Sequence, residues 1–158
     1  MDNGARALRC LDDRLLGHRI SSVDHSEDGT WVFSLTSGAT LAVECGWRIV
    51  AGGKLAVASA DDDQSFGLGA PLDAAERAGK FLSGGTLDML SVRAETGDLV
   101  LTFADGVRLE VINRSSGFEA WQVDAQPMQA SPAPTVVCMG DGRVVLVEYE
   151  GSVGRVRE

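Results

Sequence analysis

The sequence predicts an α+β fold, predominantly antiparallel β, in which two helix-plus-β-meander repeats pack with approximate twofold symmetry around one core. Three observations lead there. Alternating apolar runs are joined by glycine-containing turns, each set of runs follows a short amphipathic stretch, and the two sets align with each other. Residues 29–43 (GTWVFSLTSGATLAV) set beside residues 97–111 (GDLVLTFADGVRLEV) keep every second position apolar and superimpose both turn glycines without a gap. A one-residue slip extends the match backwards, bringing Gly17 onto Gly84, Ile20 onto Leu87 and Leu15 onto Leu82.

In chain order, residues 5–16 place Ala5, Leu8, Leu11 and Leu15 at helical spacing, with Gly17 as a left-handed cap. Ile20 to Ser26 reads as a strand. Trp31, Phe33 and Leu35 alternate in the next, Ser37-Gly38 turns the chain, and Ala39, Leu41 and Val43 return on the same face. Trp47-Arg48-Ile49 opens a further hairpin through residue 57, and residues 58–69 (ASADDDQSFGLG) form a polar connection. Pro71-Leu72-Asp73 announces the second helix, with Asp73 as its cap and Glu76 placed to complete a capping box. Ala75, Ala78 and Leu82 form its apolar stripe, and Gly84-Gly85 ends it. Leu99, Leu101 and Phe103 then alternate up to Asp105-Gly106, a tight hairpin turn, and Val107, Leu109 and Val111 resume the pattern. Trp121-Gln122-Val123 matches Trp47-Arg48-Ile49. After a proline-containing insertion, residues 126–134, a last hairpin runs from Val136 to Tyr149 around Gly140-Asp141-Gly142.

One unit alone exposes the apolar face of its sheet, so two units sharing a core is the economical arrangement, with a partly closed barrel flanked by helices as the alternative. At 158 residues, 44% hydrophobic, the chain is expected to be a single domain over 1–158, with repeats at about 5–58 and 72–149 and a frayed tail at 151–158. No apolar stretch approaches the roughly 20 residues of a membrane helix, and the first residues lack a basic start followed by an apolar block. Cys10, Cys45 and Cys138 are odd in number and far apart, as reduced core thiols are. A cytoplasmic location is the expectation.

The formal net charge of −9 disfavours a phosphate backbone and suits a basic protein partner; neither nucleic acid nor membrane is expected as a partner. His18 and His25 have no cysteine or second histidine at metal-site spacing. Asp61-Asp62-Asp63 has Phe66 where a calcium loop needs glycine, and it reads as a solvated acidic loop. Gly67-Leu68-Gly69 lacks the context of a dinucleotide turn and Ser115-Ser116-Gly117 lacks that of a nucleophile elbow. Asn113-Arg114-Ser115 matches a glycosylation pattern by chance. No catalytic residue, metal site or cofactor is indicated.

The most distinctive chemistry is Phe118-Glu119-Ala120-Trp121. Either Glu119 serves a ligand or partner among aromatics, or Trp121 fills the core while Glu119 accepts backbone amides or pairs with an arginine at a strand end. Because Trp47 matches Trp121 without an acidic-aromatic neighbour, the tryptophan reads as architectural and residues 115–119 as what is peculiar to the second copy. The candidate binding residues are Ser115, Ser116, Phe118, Glu119, Trp47 and Trp121.

The pattern Phe103-x-Asp105-Gly106-x-x-Leu109-x-Val111, then Phe118-Glu119-Ala120-Trp121-x-Val123, then Val136-Val137-Cys138 before a Gly-Asp-Gly turn, resembles a family of small uncharacterised bacterial domains. The likeness runs from about Leu82 to Val147, and this chain departs from it in its extended N-terminal helix and in residues 126–134. It implies a fold and no activity. The first functional expectation is a non-enzymatic protein-binding module, immunity- or antitoxin-like, masking a basic partner. The second is a small-ligand-binding or enzymatic domain with a site between the repeats near Trp47, Trp121 and Glu119. The third is a homodimer built through an exposed sheet edge.

Overall fold

The computed structural model describes residues 1–125, 133–150 and 155–157. It is mostly antiparallel β, arranged in two sheets with two helices among the described residues: α1 (Asn3–Leu15) and α2 (Ala74–Leu82). The strands in chain order are β1 (Ile20–His25), β2 (Trp31–Leu35), β3 (Thr40–Val43), β4 (Gly46–Ala51) and β5 (Lys54–Ala58) before α2. After it come β6 (Leu87–Val92), β7 (Leu99–Phe103), β8 (Arg108–Ile112), β9 (Trp121–Asp124), β10 (Thr135–Cys138), β11 (Val144–Glu150) and β12 (Arg155–Arg157). The α+β expectation and its antiparallel character hold.

The sheets do not divide along the two halves of the chain, as self-contained units would require. One has the order β1-β2-β3-β9-β10-β11-β12 and the other β5-β4-β8-β7-β6. The fourth strand of each half thus crosses to the other half's sheet, Trp47 pairing with Val111 and Trp121 with Val43. Alternation reports which face a residue occupies but not which strand lies beside it, so the exchange leaves no mark in the pattern.

The inward residues of both sheets and the stripes of both helices form one core, which includes Phe33, Leu41, Trp47, Ile49, Leu101, Leu109, Trp121 and Val123. In α1 the buried stripe is Ala7, Leu11 and Leu15, while the expected Ala5 is exposed and Leu8 is 44% exposed. The side chain of Asn3 sets that rotation: its Nδ2 donates to the Leu146 carbonyl at 3.0 Å and its Oδ1 accepts from the Leu146 amide at 2.7 Å. A side-chain amide therefore acts as a strand partner for β11. In α2 the stripe is Ala74, Ala78 and Leu82, with Ala75 partly buried. Asp73 caps the helix by accepting from the Glu76 amide at 3.1 Å, and the Glu76 carboxylate pairs with Lys80 at 3.3 Å.

The turn after β7 is a three-residue loop. The Phe103 amide donates to Val107, the Gly106 amide to Phe103, and only Gly106 has positive φ, at +86°. Asp105 contributes through its carboxylate, which accepts from the Val107 amide at 3.2 Å. The loop after β2 follows the same scheme with Ser37 and Gly38. Edge strands β1 and β6 each carry a register shift, between Ile20 and Ser22 and between Leu87 and Met89. Within the tail, Arg155–Arg157 pairs with Glu148–Glu150, and the rest of the tail and most of the insertion at 126–134 lie outside the described residues.

Candidate functional site

Residues 113–120 connect β8 to β9 and form one wall of a cleft of about 430 Å³; Glu44, Cys45 and Gly46, at the β3–β4 corner, form the other. The loop is tied down along its length. Asn113 receives little weight from the sequence, yet it does most of this work. Its amide N–H donates to Asp98 at 2.8 Å and its Nδ2 to the carbonyls of Thr96 and Gly140, at 2.9 and 3.3 Å. Its Oδ1 accepts from the Ser115 amide at 3.2 Å. The Ser115 hydroxyl oxygen in turn accepts from the amides of Gly117 and Phe118, each at 3.2 Å. Gly140 presses against the loop so closely that a Cβ there would meet the Gly117 carbonyl carbon and the Phe118 nitrogen at 2.7 Å. Beyond the loop, Ala120 bridges Cys138 and Glu44 through its backbone, at 3.0 Å on each side.

This scaffold holds Phe118 79% exposed at the rim of the cleft. Ser115 and Glu119 line the cleft with it, whereas Ser116 is exposed and lies outside the lining. Glu119 makes no hydrogen bond or ion pair among the described residues, so the backbone-capping role weighed for it is absent there. Trp47 and Trp121, each 1% exposed, sit in the core and line no part of this cleft. Of the stretch singled out in the sequence, Ser115, Phe118 and Glu119 line this cleft, and the two tryptophans do not. Arg114 lies flat over Gly46, where a Cβ would come within 2.7 Å of its guanidinium carbon. Burial pushes the Cys45 thiol, on the cleft wall, up to about 11, and that of Cys138 to about 12. Both are protonated at neutral pH, and neither is an activated nucleophile.

Two further polar groupings come from long-range contacts that spacing does not show. The His25 ring stacks on Trp31 with centroids 3.6 Å apart, and its Nδ1 lies 3.3 Å from Asp62. Asp62 also accepts from the Ala74 amide at the start of α2, at 3.0 Å, and Asp61 accepts from the Ala58 amide at 2.9 Å. Two of the three aspartates therefore tie down the connection instead of forming a merely solvated loop. On the outer face of the five-stranded sheet, Glu110 accepts from Arg48 at 3.0 and 3.1 Å and from Arg108 at 2.9 Å. Burial pushes the Glu110 carboxyl upward, but the hydrogen bonds from Arg108 and Arg48 outweigh it and hold the group below the usual glutamate range.

Among the described residues no group of histidine, cysteine, aspartate and glutamate side chains is arranged to hold a metal ion, and no helix is long and apolar enough to cross a membrane. Comparison with known proteins finds no family model, no curated protein and no solved structure that matches the chain.

Proposed function

We propose that this protein is a non-enzymatic protein-binding module, immunity- or antitoxin-like, that masks a basic partner through the cleft rim around Phe118. The observation that carries the reading is a phenyl ring 79% exposed on a loop whose neighbouring amides are bonded from several sides. A pre-ordered loop loses little conformational freedom on binding, and an exposed aromatic is the residue type that concentrates binding energy. Glu119 beside it and Glu44 across the cleft supply carboxylates with no ion pair among the described residues, and the net charge of −9 draws in a cationic protein. Arg114 gives the same cleft one cation, which confers selectivity for a partner segment of mixed charge.

The same proposal takes the chain as an internal duplication with approximate twofold symmetry, related to the small bacterial domains it resembles and acting in the cytoplasm. Supporting it, the pair Trp31 and Val43 in one half answers Leu99 and Val111 in the other, and both edge strands shift register at matching places. The three free thiols suit a reducing compartment. The small-ligand or enzymatic alternative loses support because both of its tryptophans are enclosed in the core.

Affinity capture from the native host, using the intact chain beside Phe118→Asp and Glu119→Lys, tests the reading. A basic protein retained by the wild type and released at least about tenfold by Phe118→Asp is the expected result. A partner that binds Phe118→Asp equally well overturns it, as does retention of a small molecule with no protein.

A further inference from the structure

We propose that the outer face of the five-stranded sheet is a second binding site, specific for a ligand that joins a single carboxylate to an apolar body. It shares no lining residue with the Phe118 cleft and does not depend on the function assigned there. The site is a cleft of about 630 Å³ whose outward-facing apolar residues are Val100 and Ile112, with Val92 at its margin and packed against the core, and whose cations are Arg48 and Arg93. Register places Ser91, Val100, Glu110 and Arg48 side by side across four strands, so Val100 lies between Ser91 and the Glu110–Arg48 pair.

The guanidinium groups are positioned and only partly used. Glu110 engages Nε and Nη2 of Arg48 and Nε of Arg108, which fixes both side chains on the sheet. The Nη1 of Arg48 and both Nη groups of Arg108 have no partner among the described residues, and the Arg93 side chain has none at all there. Arg48, 48% exposed, presents its remaining donors to a ligand, while Arg108, 44% exposed, lies outside the cleft lining and helps to hold Glu110. A planar guanidinium fits a second carboxylate through the donors that Glu110 leaves free. Asp98, with one oxygen accepting from the Asn113 amide, and Glu110 also line the cleft and balance its two arginines, so a dianion such as phosphate is disfavoured more strongly than a single carboxylate bound to the free guanidinium donors. Val100 and Ile112 supply what a bare inorganic anion could not use, apolar contact.

Such a carboxylate comes either from a free small acid or from the C-terminus of a peptide. The test is an NMR titration of the ¹⁵N-labelled intact chain with 4-phenylbutyrate and with 4-phenylbutyramide. A short peptide ending in phenylalanine, with a free and with an amidated C-terminus, forms the second pair. Saturable shifts of the β4, β7 and β8 amides are expected with the acids and not with the amides, weakened at least about fivefold in Arg93→Gln and in Arg48→Gln. The tighter of the two acids identifies the source. Equal binding of acid and amide, no saturable shift with either acid, or unchanged affinity in both variants overturns the proposal. Arg93 is exposed and makes no side-chain contact that folding needs, so its variant reports on binding even if Arg48→Gln loosens the sheet face.

Discussion

Trp47 and Trp121 each lie at or next to the start of a strand that joins the other half's sheet, and each pairs with a buried valine there, Val111 and Val43. Their polar atoms fare differently. The Trp121 Nε1 donates to the Gly97 carbonyl at 2.8 Å, whereas the Trp47 Nε1 is buried with no hydrogen-bond partner among the described residues. Around Trp47 the neighbours are aromatic: Trp31 and Phe33 meet it edge to face, with centroids 5.0 and 5.6 Å away. One half thus anchors its indole by a backbone carbonyl and the other by ring packing, which carries on outward to His25 stacked on Trp31. Two regions with the same registers can be held together by different physics, and the second half spends its polar contacts on bracing the loop that displays Phe118.

The most damaging change to that scheme is Trp121→Ala, which should cost about 3–5 kcal/mol in denaturant unfolding. A cost below about 1 kcal/mol would remove it from the core. Next come two turn glycines, Gly97 and Gly29. Gly97 has φ +76°, and an added Cβ would strike Cys138 and the Gly142 backbone; Gly29 has φ +92° with open space around it. Gly97→Ala should therefore cost about 2–4 kcal/mol, combining left-handed strain with overpacking, and Gly29→Ala only about 1 kcal/mol. Equal costs would mean that the close packing behind Gly97 contributes nothing. Replacing the indoles by phenyl isolates the polar difference: Trp121→Phe leaves the Gly97 carbonyl with only the weak thiol contact from Cys138 at 3.6 Å, whereas Trp47→Phe deletes a donor without a partner among the described residues. The former should be the costlier by about 1–3 kcal/mol in matched melts.

The smallest effect concerns charge. Glu110 pairs with Val100 in the β7–β8 hairpin, whereas in the β2–β3 hairpin the uncharged Ala42 pairs with Val32. Its carboxyl is held low in the folded state, so its contribution is present above the unfolded glutamate pKa and is lost as pH falls through the lower folded value. Glu110→Gln should flatten the loss of Tm below about pH 4 relative to wild type. An identical acid profile for both proteins would show that the paired arginines lend the carboxylate no stability.

Much of this architecture is legible from local chemistry. Alternation locates Trp31 to Val43 and Leu99 to Val111 because period two directly reports the buried face, and Asp73 is recognisable because a cap acts within three residues. The composition of residues 115–119 marks the exposed loop. What escapes is whatever depends on partners far along the chain: the rotation of α1 set by Asn3 against Leu146, the reach of Asn113 to Gly140, and the joining of His25 to Asp62. The crossing of β4 and β9 escapes for the same reason, since a strand's sequence is silent about its neighbour.

That crossing bears on how the molecule is assembled. Because β4 and β5 lie in the sheet with β6–β8, and β9 to β12 in the sheet with β1–β3, neither half has a complete sheet to close by itself, and the rate-limiting contacts must join distant parts of the chain. A backbone cleaved in the connection between β5 and α2 should yield two pieces that are each unstructured alone and fold only on mixing, to a stability that rises with concentration. The two halves behave as an obligate pair that happens to share one covalent chain.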